Sequence, residues 1–209
     1  MATSAAEYLP ERLSLSKMRE AAGHCRGCEL YKNATQVVFG QGLKRARVML
    51  IGEIPGDQED RQGKLFVGPA GGLLRAAMNE AEIDIGDTYL TNVVKHFNWE
   101  QRGKRRLHKK PSARHIKACL PWLEAEIEVI QPEIIVCLGA TASQALLGSG
   151  FRITKQRGKF IENPWAPKLV ATYHPSAVLR ASTEDERRKQ RSELVTDLRL
   201  VVSALDGIK

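Results

Sequence analysis

Four short apolar runs, separated by stretches of helical periodicity, limit the folds open to this chain. They are Arg47–Ile51 (RVMLI), Thr88–Val94 (TYLTNVV), Glu133–Leu138 (EIIVCL) and Lys168–Tyr173 (KLVATY). A strand with one wet face alternates apolar and polar residues, whereas a strand buried on both faces reads as an unbroken run. These runs therefore predict a parallel sheet covered on both sides. The covers are legible too. Leu73, Leu74, Ala77, Met78 and Ala81 share a helical face after Pro69, and Leu123, Ile127 and Ile130 do so after a break expected at Pro121. Leu194, Leu198, Val201, Val202 and Leu205 form a third stripe after Ser182 and an acidic first turn. The fold class expected is α/β, a three-layer α/β/α sandwich around a short, mainly parallel four-stranded sheet. No repeat or linker divides the 209 residues, 43% of them hydrophobic, so one domain over 1–209 is expected.

Right-handed crossovers bring the C-terminal ends of parallel strands to one edge, where open α/β sheets bind ligands. The chemically distinctive residues fall there. Gly52-Glu53-Ile54-Pro55-Gly56-Asp57 follows the first run, and Asn92, Lys95 and His96 lie in or after the second. Gly139-Ala140-Thr141 follows the third and His174-Pro175-Ser176 the fourth. Carboxylate, amide and imidazole would converge on one site. Glu53, on a turn braced by glycine and proline, could position water or stabilise positive charge; an ordinary acidic loop residue is the alternative. Phe66, before the glycine-rich helix start Gly68-Pro69-Ala70-Gly71, could stack on a base or fill the core. His174 could hydrogen-bond a leaving group or cap a helix.

The segment Lys104-Arg105-Arg106-Leu107-His108-Lys109-Lys110 leaves the same edge after the second run and shows neither helical nor strand periodicity. Crowded like charge disfavours protonation, so the imidazole is expected neutral, and a neutral imidazole is a nucleophile or a base. The same cations attract a phosphate backbone, although a solvated basic loop is the bland reading. A net charge of +8, from 32 Lys and Arg against 24 Asp and Glu, favours a polyanionic partner. Met1–Pro10 lacks the cationic start and apolar run of a signal peptide, and no stretch approaches the roughly 18 apolar residues of a membrane span. A cytoplasmic protein with no membrane partner is expected.

Cys25-x-x-Cys28 is the pattern of half a metal site, for which His96, Cys119 and Cys137 are the remaining candidates. Cys137 lies inside an apolar run, where a thiol behaves as a small hydrophobe. Three cysteines and a histidine suit zinc or a cubane iron–sulfur cluster, and spacing does not choose between them.

Taken together, Cys25-x-x-Cys28, GEIPGDQED (Gly52–Asp60), FVGPAG (Phe66–Gly71), TNVVKH (Thr91–His96), Cys119 and YHPS (Tyr173–Ser176) resemble the iron–sulfur uracil-DNA glycosylases, in an order and spacing that cover nearly the whole chain. KRRLHKKPS (Lys104–Ser112) is similar to the extra loop of the UdgX-type enzymes, which become covalently attached to uracil-containing DNA. The resemblance implies a [4Fe-4S] cluster held by Cys25, Cys28, His96 and Cys119, with His96 where the common thermophilic members have the cysteine of VVKC. It implies excision of uracil from DNA. Phe66 would stack on the extruded base, Asn92 read its amide edge, His174 stabilise the leaving uracilate and Glu53 the sugar cation, while His108 attacks C1′. Ile54, Gly56 and Asp57 would line the uracil site, Ile54 through its backbone, since UdgX-type sequences more usually carry Gln there. Lys104, Arg105, Arg106, Lys109, Lys110 and Ser176 would hold DNA. Single strands should be favoured because they spare the cost of unstacking. The protein is expected to be a monomer of bacterial type, nucleoid-associated when bound to DNA. The alternatives are a conventional multiple-turnover glycosylase and a noncatalytic metal-containing nucleic-acid-binding module. A dinucleotide-binding protein is disfavoured, because GEIPGD stands where GxGxxG would.

Overall fold

The computed structural model describes residues 4–206, so residues 1–3 and 207–209 of the expected domain lie outside it. Its strands are β1 (Gln41–Gly42), β2 (Val48–Gly52), β3 (Thr88–Asn92), β4 (Trp99–Arg102), β5 (Arg105–His108), β6 (Ile134–Leu138), β7 (Phe160–Ile161) and β8 (Lys168–Thr172). Six of them form one sheet in the order β1-β3-β2-β6-β8-β7. The four apolar runs supply its parallel centre, with Leu50 opposite Leu90 and Val136, and Val136 opposite Val170. The expected count of four strands is corrected by β1 and β7, antiparallel edge strands of two residues each, too short to carry a periodic signal.

The helices are α1 (Leu15–Ala22), α2 (Asp57–Gln62), α3 (Pro69–Glu80), α4 (Ala113–Ile130), α5 (Ala140–Leu147), α6 (Ile153–Gln156), α7 (Pro175–Leu179) and α8 (Glu184–Asp206). Alternate residues of each central strand serve opposite layers. Met49, Ile51, Ile135 and Cys137 join a core with Met18 of α1, Trp122 and Leu123 of α4 and Ala142 of α5. Val48, Leu50, Ile134 and Val136 join the other, with Leu74 and Met78 of α3 and Leu194 and Leu198 of α8. The sandwich is therefore three-layered, as the runs implied.

Two local expectations are corrected. Pro121 does not break a helix: α4 runs through it, and burial of Trp122, Leu123 and Ile127 on that helix offsets the lost N–H. The acidic first turn after Ser182 is that of α8, which Thr183 caps, its hydroxyl accepting from Glu186 N–H at 3.1 Å. The basic segment is no irregular loop but half of a hairpin, β4 paired with β5 so that Trp99 faces His108. Gly103, with φ of 59°, occupies the turn and permits the tight reversal. Arginines at two of the four positions of β5 hid its extended character.

Lys95, which the sequence grouped with the site residues, turns inward. Its ammonium meets Glu126 at 2.5 Å and also donates to Thr91 Oγ1 at 2.6 Å and to the Asn92 carbonyl at 2.7 Å. Tyr89 Oη and Gly40 N–H complete the shell around Glu126. This buried pair ties β3 to α4 just below the edge where the site begins. Among the described residues, no helix is long and apolar enough to cross a membrane.

Candidate active site

A cavity of about 800 Å³ opens at the C-terminal edge of the parallel strands. Glu53, Asn92, Phe66, His174 and His108, drawn from five separate stretches of chain, all line it. Register explains the first two. Gly52 pairs with Asn92 across β2 and β3, and Val94 N–H donates to the Glu53 carbonyl at 3.1 Å. A Cβ on Gly52 would lie 2.2 Å from Asn92 Oδ1 and 3.1 Å from the Phe66 ring, so its missing side chain makes room for both. The side-chain amide of Asn92 makes no hydrogen bond within the described residues and faces the cavity. Glu53 Oε1 accepts from Thr141 Oγ1 at 2.9 Å.

Phe66 is held in an unfavourable backbone conformation, with φ of 53°. Its carbonyl accepts from Arg75 at 2.7 Å, and its ring stands 6.5 Å from that of His174, tilted by 31°. Strain of this kind persists where surroundings fix a side chain for use. The Phe66 ring forms an apolar wall of the cavity as well as part of the core.

His174 caps α7, and its Nδ1 accepts from Ser176 N–H at 3.1 Å while lying 2.7 Å from Ser176 Oγ. With Nδ1 accepting, the neutral ring carries its proton on Nε2. Burial, reinforced by Arg180 and His108, pushes its pKa down to about 4, so it is neutral near pH 7. His108 sits at the end of β5, its ring 6.1 Å from that of Phe97. The residue keeps solvent access, yet the cavity wall strips enough water from the ring to hold its pKa below the ordinary value. Glu53 opposes that shift, while Arg180 and Lys110 add to it. The expected neutrality therefore has burial as its first cause, ahead of the loop's own charge.

The family description Uracil DNA glycosylase superfamily matches residues 39–199, a span that contains every wall of this cavity. The chain belongs to that superfamily. It is 38% identical over 182 residues to the Type-4 uracil-DNA glycosylase of Thermotoga maritima, covering 87% of this chain and 91% of the relative. It is 34% identical over 209 residues to the Type-4 enzyme of Sulfurisphaera tokodaii, covering 94% and 92%. A Type-5 uracil-DNA glycosylase of Pyrobaculum aerophilum is more distant, at 26% over 151 residues.

Within this glycosylase fold the six DNA-contact candidates separate. Lys104, Arg105 and Lys110 form no ion pair among the described residues, and Lys110 lines the cavity. Lys109 pairs with Glu100 at 3.2 Å on the surface. Arg106, expected to grip phosphate, is instead spent inside the protein: it binds Asp57 at 2.5 Å and Asp60 at 2.7 Å, between the rings of Phe97 and Trp99. Ser176 is engaged with His174. Asp57 lines the cavity but gives one carboxylate oxygen to Arg106 and the other to Arg61, which with their charge hold its pKa low against partial desolvation. Ile54 and Gly56 lie on the cavity wall, Ile54 almost wholly buried.

Leu179 and Arg180 of this wall, and Thr141, which bonds the wall residue Glu53, escaped the sequence reading. Thr141 was noted only as following the third run. Leu179 and Arg180 lie at the far end of the short helix that His174 begins, where the proximity of a histidine cap was the sole signal. Leu179 is 38% exposed, one of two large hydrophobic side chains so exposed among the described residues.

The cysteine group is buried in the core beside α4. Cys25, Cys28 and Cys119 are buried, and the Cys119 thiol feels the charge of both others. Burial raises the Cys28 thiol and pushes Cys119 up to about 12, so a bound metal would have to displace their protons. Trp122 Nε1–H donates to Cys25 Sγ and Lys95 N–H to Cys119 Sγ, each at 3.4 Å. His96, next to Lys95, is buried, which lowers its pKa to about 4 and leaves it neutral. Soft thiols and a neutral imidazole, kept from water and supplied with N–H donors, fit a soft metal or an iron–sulfur group. Among the described residues, no three His, Cys, Asp or Glu side chains close on a single point as one bound ion requires. Cys137 is fully buried in β6 and belongs to the core.

Proposed function

We propose that the chain excises uracil from DNA and is then joined through His108 to C1′ of the sugar. The observation that carries this reading is the gathering of Glu53, Asn92, Phe66, His174 and His108 around one cavity. The extruded base stacks on Phe66, and the Asn92 amide, unpaired among the described residues, pairs with its amide edge. Cytosine leaves that amide mismatched, which is the kind of discrimination buried hydrogen bonds provide well. Exposed Leu179, at the cavity rim beside Arg180, fills the gap left in the stack.

Cleavage moves the C1′–N1 electron pair onto uracil and leaves positive charge on the sugar. His174 donates from Nε2–H to the oxygen where the negative charge develops, and the Glu53 carboxylate faces the sugar cation. A lone pair of neutral His108 then forms the N–C1′ bond. The alkylated ring releases its remaining N–H proton, uracilate takes one up, and protons balance. An imidazole held in place can present an effective concentration of roughly 10⁵ to 10⁸ M, enough to outrun water. Single-stranded DNA is the favoured substrate, since it spares unpairing.

Cys25, Cys28, His96 and Cys119 would hold a [4Fe-4S] cluster, or zinc as the lesser alternative, and iron and sulfide analysis tests that set. When bound, the group supplies a cross-link between the cysteine knuckle, β3 and α4. The covalent reading is tested by incubating the protein with uracil-containing single-stranded DNA on a denaturing gel. A heat-stable retarded band is expected, with less than one free uracil beyond each protein joined. His108→Ser is expected to abolish the band. Many uracils released per protein without a band would mark a conventional turnover enzyme instead, and equal binding of normal DNA with no base released would mark a noncatalytic module.

A further inference from the structure

We infer that Thr141 is the positioning residue for Glu53, its hydroxyl fixing which carboxylate oxygen is free to face the sugar. This rests on the reading above that Glu53 stabilises the sugar cation.

Two observations carry it. The first is the hydrogen bond itself: Thr141 Oγ1 donates to Glu53 Oε1 at 2.9 Å, joining residues at the ends of β2 and β6 that no backbone pairing links directly. One oxygen of Glu53 is thereby occupied and the other left for chemistry. Thr141 stands in the first turn of α5, where a hydroxyl has no preceding helical carbonyl to bond, so it is available to a partner outside the helix.

The second is that the turn carrying Thr141 is itself braced against the other site residue. Gly139, with φ of 89°, donates to the Thr172 carbonyl at 2.8 Å and accepts from Ser143 Oγ at 2.8 Å. A Cβ on Gly139 would lie 2.8 Å from His174 Cβ, so only glycine allows this close approach. The turn after β6 thus abuts His174 on one side and reaches Glu53 with Thr141 on the other. It sets the two opposite charges of the cleavage step, one handled by each residue, at a fixed separation.

The test is single-turnover uracil release from single-stranded DNA by the full chain, with DNA affinity and thermal midpoint measured alongside. Thr141→Val, close in shape but without the hydroxyl, is expected to slow cleavage about 10- to 100-fold, the range for losing a hydrogen bond to a charged group. Affinity and thermal midpoint should change little, and Thr141→Ser should recover most of the rate. If the valine variant fails to fold, Thr141→Ala gives the same comparison. In a Glu53→Gln background, Thr141→Val should add less than about twofold, since both changes act through one contact. Wild-type cleavage by Thr141→Val, with Glu53→Gln impaired, overturns the role of Thr141 and leaves that of Glu53. Full multiplicative loss in the double variant also overturns it. Unimpaired cleavage by Glu53→Gln removes both residues.

Discussion

Ser176 occupies Nδ1 of His174, whereas the ring of His108 hydrogen-bonds to no other residue among those described. A tethered ring is suited to donating from its opposite nitrogen, and an untethered one can turn a lone pair towards an electrophile. Both must be neutral. Because the pKa of His108 is lowered on folding, its proton is absent at neutral pH and returns only below the ordinary imidazole value of about 6.5. The rate of adduct formation is therefore expected to be flat from pH 8 to about 6.5 and to fall as acid protonates His108. Single-turnover rates across that range check it, and a fall centred above pH 7 contradicts the assignment. His174, Glu53 and Asn92 were legible because each follows or ends an apolar strand and parallel topology sends all such ends to one edge, whereas His108 was legible from the cations crowded around it. Thr141 was not, because its bond to Glu53 depends on the lateral order of β2 and β6, which the linear sequence does not display.

The hairpin β4–β5 presents His108, and Arg106, two residues before it, anchors the hairpin to α2. Arg106 is 12% exposed and spans Asp57 and the fully buried Asp60, with Thr35 Oγ1 adding a further contact at 3.1 Å. Removing the guanidinium strands a buried carboxylate, for which the usual cost is about 3–5 kcal/mol. Arg106→Met is expected to lose stability in that range by chemical denaturation and, under conditions where it stays folded, to release more uracil per adduct formed. Arg106→Lys should fall between, since an ammonium lacks the guanidinium's planar fork. If the ratio of adduct to free uracil is unchanged in a folded Arg106→Met protein, the hairpin does not depend on this clamp to aim His108. The sequence showed a dense run of cations and so pointed to phosphate for all of them. Which cation turns inward was set by Asp57 and Asp60 on α2, brought opposite β5 only by the fold.

Across the whole molecule, the net charge of +8 is unevenly usable. On α8 and beside it the charges largely satisfy one another, with Arg187 on Glu184, Arg188 on Asp185 and Arg191 on Glu80. Arg157 is likewise held by Asp197 and Glu193. On the hairpin and at the cavity the balance differs: Lys104, Arg105, Lys110 and Arg180 have no ion-pair partner among the described residues, and the latter two line the cavity itself. Their placement would steer a phosphate backbone past Leu179 and deliver one base at a time to Phe66. If these four cations each neutralise a phosphate, the log–log salt slope for binding single-stranded DNA is about −3. Arg180→Ala should make it shallower by about 0.7. Arg188→Ala, on the opposite kind of surface, where the charge is already paired, should leave the slope unchanged. Fluorescence anisotropy over a salt series measures all three, and equal effects from the two substitutions would mean that overall charge, rather than this rim, binds the strand.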